Sequence, residues 1–178
     1  DAKMGAAAVY DVVVVGGGHA GIEASMACAR TGLRTALITL NIEMIGHMPC
    51  NPAIGGLGKS QIVREVDALG GWMGRLADET GIQFRMLNRK KGPAVWSLRT
   101  QNDKAAYRMA AQRLVFNQPG LDVVQEEITG VSMDGRRCAG VITSLGDVIS
   151  ARAFILTPGT FLNGRIHIGL TSRYSGRL

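Results

Sequence analysis

The sequence contains no uninterrupted apolar run near the length of roughly 18 residues that a membrane-spanning helix requires. The segment from Asp1 to Tyr10 lacks the charged head and long apolar centre of a secretory signal. Cysteine occurs only three times in 178 residues, an odd count that does not fit a disulfide framework and agrees with a reducing compartment. We therefore expect no membrane association and a cytoplasmic protein, or one of the mitochondrial matrix if the source is eukaryotic.

Two kinds of site lack the residues they need. No second cysteine stands two or three positions from another, so a thioredoxin-type or flavin-linked disulfide pair is absent. The three histidines have no mutual spacing typical of metal ligands, and we expect no metal site. What remains is an ordinary globular composition, with 46% apolar and 19% charged residues.

Positive charge is concentrated in one part of the chain. The net charge is +6, and residues 59–113 carry eleven basic and five acidic side chains, an excess of six. A polyanionic partner would explain this excess, and so would a solvated surface rich in arginine. Within it, the segment Arg85 to Arg99 combines cations with Trp96, and such a segment can hold phosphates and stack a base.

A glycine-rich motif near the N-terminus indicates dinucleotide binding. Tyr10 to Val15 predicts a strand, Ala20 to Arg30 a helix and Thr35 to Leu40 a second, parallel strand. The turn between the first strand and the helix has the spacing GxGxxG and consists of Gly16, Gly17, Gly18, His19, Ala20 and Gly21. This context is the one in which such glycines seat a pyrophosphate at a helix N-terminus, whereas a turn without a ligand is the alternative.

The residue that would bind the ribose is less clear. The acidic residue expected about twenty positions after the glycine turn is missing, since Thr39, Leu40 and Asn41 stand there and Glu43 follows. Neutral donors or Glu43 must therefore recognise the ribose.

The remaining pattern favours FAD over NAD. We predict a helix over 60–77, a short strand over 82–87, a helix over 100–117 and strands over 121–131, 138–145 and 148–156. The last three form an antiparallel β-meander at about 121–156, and the return strand ends in a turn that contains Gly159. The predicted fold class is α/β, a Rossmann-like two-part FAD-binding domain over residues 10–178 with a small meander, preceded by a disordered extension over residues 1–9.

One cysteine is a candidate for chemistry. Cys50 lies in a loop rich in glycine, where backbone dipoles and Lys59 can favour its thiolate. Cys28 and Cys138 lie in a predicted helix and strand and are expected to pack in the interior. An ordinary loop cysteine is the alternative interpretation of Cys50.

Four long segments resemble one known family. DVVVVGGGHAGIEAS, MPCNPAIGGLGKSQIVREVDALGG, GIQFRMLNRKKGPAVW and TPGTFLNGRIHIGL are similar, in the same order, to the N-terminal part of the MnmG family, also called GidA. The resemblance implies an FAD-dependent enzyme that modifies carbon 5 of the wobble uridine of tRNA. It also implies the GTPase MnmE as a partner, methylenetetrahydrofolate and NADH as co-substrates, and a homodimer in the full-length form.

The resemblance also implies roles for individual residues. The residues from Gly16 to Gly21 match the family's FAD pyrophosphate loop, and Ile128 and Ser175 match positions that contact FAD. Cys50 matches a cysteine thought to lie near the flavin and to take part in catalysis.

The departures from the family concern residues and length. Pro49 and Ser60 stand where serine and glycine are common in the family. Family members are several times longer, so we expect a fragment with weak FAD affinity and no tRNA-modifying activity of its own. Two alternatives remain open at this point: a flavin oxidoreductase acting on a small molecule, and a non-catalytic tRNA-binding module.

Overall fold

The computed structural model describes residues 10–176, and the predicted disordered extension over residues 1–9 lies outside them. The chain divides into two compact units. Within the described residues, the first unit comprises 10–43 and 118–176, and the second comprises 44–117. Among residues 10–176, no helix has the length and apolar character needed to cross a lipid bilayer.

The helices and strands follow one another in this order: β1 Tyr10–Val15, α1 His19–Arg30, β2 Thr35–Thr39, β3 Ala53–Gly55, α2 Ser60–Ala68, α3 Met73–Glu79, β4 Gly81–Leu87, β5 Ser97–Asn102, α4 Lys104–Phe116, β6 Leu121–Gln125, β7 Ile128–Asp134, β8 Arg137–Thr143, β9 Val148–Leu156, β10 Arg165–Ile168 and β11 Thr171–Tyr174. Short 3₁₀ turns cover Ile42–Met44, Arg89–Lys91 and Pro93–Val95.

The first unit is built on a six-stranded sheet with the order β6-β2-β1-β9-β8-β7. The first four strands are parallel, and β8 and β7 continue the sheet as an antiparallel meander. Val13 of β1 lies between Ala36 of β2 and Phe154 of β9. The predicted β1-α1-β2 unit, the meander and the return strand are therefore confirmed, and the fold is a mixed α/β fold of the expected class.

The predicted strand over 121–131 is wrong, because it is two strands. β6 ends at Gln125 and pairs with β2 in parallel, whereas β7 begins at Ile128 and pairs with β8. Glu126 and Glu127 separate them, and depletion of such charged residues from strands was the available signal. The meander consequently begins at Ile128 rather than near 121.

The core of this unit explains the composition of β1. Val13 and Ile38 are fully buried and pack with Ala36, Val141 and Ala151, and Ile128 of β7 and Ile149 of β9 pack against this cluster. A central parallel strand is covered on both faces and therefore reads as a continuous apolar run rather than an alternating one. This rigid strand carries the glycine turn at its carboxyl end.

The second unit contains a three-stranded antiparallel sheet of order β3-β5-β4 together with helices α2, α3 and α4. The predicted helix over 60–77 is interrupted, because Gly70 adopts a φ of 86° and the Gly71 amide donates to the Val66 carbonyl at 2.8 Å, which closes α2.

The predicted helical start at Thr100 is wrong as well. Residues 97–102 form β5, and α4 begins after Asp103, whose carboxylate accepts from the amides of Ala105 and Ala106 at 2.9 Å.

The buried residue Asn102 connects the loop that carries Cys50 to the rest of the second unit. The Asn102 amide nitrogen donates to the Pro52 carbonyl at 2.7 Å, and its side chain donates to the Ala77 carbonyl at 2.8 Å and to the Thr80 hydroxyl at 3.0 Å. Asn102 is 1% exposed, so these bonds are shielded from water. The segment two residues after Cys50 is thus fixed to β5.

Candidate dinucleotide-binding site

The three spaced glycines of the turn after β1 are required for different reasons. Gly16 has a φ of 114°, in the left-handed region that favours glycine, and its amide donates to the Ile38 carbonyl at 2.8 Å. A Cβ at Gly16 would collide with the Thr157 carbonyl oxygen, and one at Gly21 would collide with the Gly16 carbonyl oxygen. These two glycines let the chain turn sharply and let α1 pack closely on β1.

Gly18 is different because its position is open. It is exposed and lies at the N-cap of α1, and a Cβ there would meet no atom of the described residues within 4 Å. The fold itself therefore does not need glycine at this position. The first amides of the 12-residue helix α1 point towards this space, and such amides favour an anion.

Thr157, directly after β9, connects the return strand to the glycine turn. Its hydroxyl lies 2.9 Å from the Val15 carbonyl and 3.1 Å from the Gly16 carbonyl, and its amide donates to the Val15 carbonyl at 2.8 Å. The sequence interpretation selected Gly159 from this turn and missed Thr157. The available signal was a short side chain with a hydroxyl group directly after the strand that pairs with β1.

The other predicted cofactor contacts lie in the same unit at separate places. Gly159 has a φ of 58°, and a Cβ added there would meet no described atom within 4 Å. The Ser175 amide donates to the Gly164 carbonyl at 2.9 Å, and the Thr160 hydroxyl donates to the Gly176 carbonyl at 2.7 Å, so the chain near Ser175 packs on the loop after Gly159. Ile128 is the first residue of β7. Ile128, Gly159 and Ser175 stay predictions as cofactor contacts.

Glu43 lies in the 3₁₀ turn that follows the end of β2. β2 ends at Thr39, and the Asn41 side chain accepts from the Glu43 amide at 2.8 Å, which turns the chain at the carboxyl end of the sheet. The Gln125 side chain accepts from the Ile42 amide at 3.1 Å and fixes this turn to the end of β6. Glu43 is exposed. Of the two alternatives for binding the ribose, neutral donors or Glu43, the second stays a prediction.

Burial lowers the pKa of His19, the first residue of α1. In the unfolded chain the His19 imidazole is protonated as the pH falls through its ordinary pKa of about 6.5. In the folded chain the imidazole stays neutral to lower pH, so protonation there favours the unfolded state. The contribution of His19 to stability is therefore present above that value and is lost as the pH falls below it.

We expect the free energy of unfolding to decrease between pH 7.5 and pH 5.5, and this decrease to be smaller in His19→Gln. Urea denaturation at both pH values measures the difference. His167→Gln is the matched control, because His167 is exposed on β10. An identical pH dependence of the wild type and His19→Gln would contradict the assignment.

Gly21→Ala is expected to destabilise the first unit by about 3 kcal/mol, because the added methyl group would collide with the Gly16 carbonyl. The backbone of Gly16 cannot shift easily, since its amide is hydrogen-bonded to the Ile38 carbonyl of the sheet. Gly74→Ala is the matched control. Gly74 also lies in a helix, and a Cβ added there would lie 3.4 Å from the Asp67 carboxylate oxygen, which is a side-chain atom that can move. Alanine should therefore stabilise α3 by up to about 1 kcal/mol. Denaturant midpoints of the two variants should move in opposite directions, and equal shifts would show that packing at Gly21 is loose.

The cysteines differ in their surroundings. Cys50 is exposed in the second unit, whereas Cys28 and Cys138 are half-buried in α1 and β8. Burial raises the pKa of the Cys28 thiol, which makes it less reactive. Among residues 10–176, no three His, Cys, Asp or Glu side chains are grouped so that they could hold a metal ion.

The first unit has a Rossmann-like α/β fold of the dinucleotide-binding class. Its four parallel strands include the β1-α1-β2 unit with the glycine turn, and the return strand β9 lies beside β1. The family described as glucose inhibited division protein A matches residues 11–178. The chain belongs to this family, known as MnmG or GidA.

Individual relatives agree with this assignment. The chain is 51% identical over 168 residues to the tRNA uridine 5-carboxymethylaminomethyl modification enzyme MnmG of Syntrophobacter fumaroxidans, covering 94% of this chain and 26% of that protein. The structure of Aquifex aeolicus GidA, in one crystal form, matches with a TM-score of 0.90 and 51% identity over 95% of this chain and 28% of the other. The GidA-related protein from Thermus thermophilus shares the fold, with a TM-score of 0.68 and 24% identity over 96% and 62% of the two chains. The chain thus spans about a quarter of the MnmG and Aquifex GidA chains.

Proposed function

We propose that this chain forms the cofactor-holding N-terminal part of an FAD-dependent tRNA uridine 5-carboxymethylaminomethyl modification enzyme. The observation that carries the proposal is the open position at Gly18, in a turn where Gly16 and Gly21 are both closely packed. This arrangement fits the diphosphate of a dinucleotide, and the 51% identity to an MnmG enzyme supports the choice of reaction.

The residues of the first unit fit the parts of FAD. The exposed Gly18 and the first amides of α1 would hold the pyrophosphate, and Glu43 at the end of β2 would accept hydrogen bonds from the ribose. Thr157 would keep the turn in position through its bonds to the carbonyls of Val15 and Gly16. When bound, the flavin supplies the redox chemistry that no side chain can provide.

Cys50 would act as the nucleophile. Its exposed thiol lies in a loop that is held two residues later by Asn102, so the thiol is accessible while the backbone around it is fixed. A thiolate adds to an electron-poor pyrimidine ring and later leaves, which activates carbon 5 of the uridine for substitution.

The remaining requirements belong to the complete enzyme. We propose that it works with the GTPase MnmE, takes its one-carbon unit from methylenetetrahydrofolate, uses NADH as reductant and forms a homodimer, in the cytoplasm of a bacterium or in a mitochondrial matrix. The 178 residues alone should bind FAD weakly and modify no tRNA, since they span only about a quarter of the MnmG relative.

Flavin fluorescence titration and a reconstituted modification assay test this proposal. The 178-residue chain should quench FAD fluorescence weakly, a family-length protein carrying the same sequence should do so strongly, and only the latter should modify unmodified tRNA in the presence of MnmE. Absence of FAD binding by the longer protein would refute the cofactor. Flavin-dependent reduction of a small molecule without tRNA modification would favour a small-molecule oxidoreductase, and tRNA binding without either activity would favour a binding module.

A further inference from the structure

The antiparallel sheet of the second unit is charged with one sign only. Residues 81–102, which comprise β4, β5 and the connection between them, contain five cations and no Asp or Glu. The cations are Arg85, Arg89, Lys90, Lys91 and Arg99. We call residues 81–102 the basic hairpin. Charges of one sign on a small sheet repel one another, so the composition is unfavourable for the isolated fold.

The pairing of the strands makes this repulsion specific. Arg85 of β4 lies directly opposite Arg99 of β5, and residues opposite each other on adjacent antiparallel strands have their Cβ atoms about 5 Å apart. Neither arginine forms an ion pair or a side-chain hydrogen bond with any residue from 10 to 176. Two arginine side chains therefore start from directly opposite positions on adjacent strands, and neither is paired with a protein anion among the described residues.

The connection between the strands adds cations and an aromatic surface. Arg89, Lys90 and Lys91 are exposed in one 3₁₀ turn, and the indole nitrogen of Trp96 donates to the Arg89 carbonyl at 3.3 Å. Trp96 is 43% exposed, so part of its ring faces solvent beside these cations. An aromatic ring among cations is typical of surfaces that bind single-stranded nucleic acid, where bases stack and phosphates pair with the charges.

We propose that the basic hairpin binds the phosphodiester backbone of RNA, with Arg85 and Arg99 jointly holding phosphate. A phosphate oxygen accepts hydrogen bonds from both guanidinium groups and relieves their mutual repulsion, and arginine suits this role better than lysine because of its planar fork of donors. An acidic protein would satisfy the charges but would leave the exposed ring of Trp96 without a stacking partner. This inference rests on the proposed function only in taking tRNA as the substrate.

The test is the salt dependence of binding to a fluorescein-labelled, unmodified tRNA transcript, measured by anisotropy between about 0.05 and 0.3 M KCl. The double variant Arg85→Gln/Arg99→Gln should lower the slope of log Kd against log salt by about 0.8 and weaken binding by about 6-fold at roughly 0.1 M KCl, since the loss of one jointly held phosphate removes roughly 0.7 to 0.9 from the slope. Arg85→Lys/Arg99→Lys should keep most of the slope, because it keeps the charges.

Arg136→Gln/Arg137→Gln is the matched control, because it removes two exposed arginines from the first unit and changes the net charge equally. Its slope should stay close to that of the wild type.

Equal slopes for the two Gln double variants, with circular dichroism showing both folded, would overturn the inference while leaving the proposed enzyme unaffected. Polyglutamate is added as a competitor at the same concentration of negative charge as the tRNA. If it displaces the tRNA, the surface is assigned to an acidic protein instead. A wild-type protein that binds no tRNA would refute the inference and the proposed substrate together, and FAD binding measured alongside would still report on the cofactor.

Discussion

Gly18→Asp is expected to weaken FAD binding strongly without unfolding the protein. The Cβ of an aspartate at the N-cap of α1 meets no described atom within 4 Å, and its carboxylate caps the helix and interacts favourably with the dipole, which contributes about 0.3 to 1 kcal/mol. The same carboxylate would stand where the pyrophosphate needs to approach, and repulsion at about 4 Å amounts to several kcal/mol. Affinity for FAD should fall by roughly 100-fold or more. Flavin fluorescence titration and urea denaturation of a family-length protein measure the two effects.

Gly18→Asn separates charge from size. Asparagine has nearly the same shape as aspartate and is also a good N-cap residue, but it carries no charge. Its effect on FAD affinity should be smaller than that of Gly18→Asp, and both variants should unfold at or above the wild-type urea concentration. Unchanged FAD affinity in both variants would show that the cofactor does not approach Gly18, and the assignment of the turn would be withdrawn.

Cys50→Ala is expected to abolish tRNA modification while leaving FAD binding unchanged. Removing a nucleophile that forms a covalent bond to the substrate costs at least about 10³-fold in rate in comparable enzymes. The measurement is the fraction of wobble uridine modified by a family-length enzyme with its partner present, determined by mass spectrometry of tRNA digests. Flavin titration of the same sample reports whether the cofactor site is intact.

The other two cysteines provide the controls for this experiment. Cys138 lies on β8 with its thiol 3.7 Å from the Gly140 carbonyl, and Cys28 lies on α1 with a raised pKa. Cys28→Ala and Cys138→Ala should reduce activity only as far as they reduce stability. Modification at the wild-type rate by Cys50→Ala would exclude a catalytic thiol at this position and would leave the flavin domain assignment in place.

The elements that could be predicted were those whose signal is local. β1 is a continuous run of β-branched residues followed by three glycines, and both the strand and the turn follow from that pattern. The end of α1 and the beginning of β2 are similarly marked by Gly32. For such segments the residues that decide the structure lie within a few positions of one another.

The errors arose where distant strands decide the conformation. Residues 97–102 were predicted to overlap a helix from Thr100, yet they form β5 because β3 and β4 pair with them on both sides. The true helix start was marked by Asp103, whose capping bonds extend only to Ala105 and Ala106. The segment after Leu121 was predicted as one strand, although β2 pairs with its first half and β8 with its second.

The sequence by itself determined the family, the glycine turn and its place between a strand and a helix, because these depend on residue identity and spacing. Only the tertiary structure distinguished the tasks of the glycines, since Gly16 and Gly21 are required by contacts with Thr157 and with each other while Gly18 faces open space. It also placed Arg85 opposite Arg99, fourteen positions later in the chain. Both results depend on how separate segments meet, and the free energy of those contacts exists only once the strands have paired and packed.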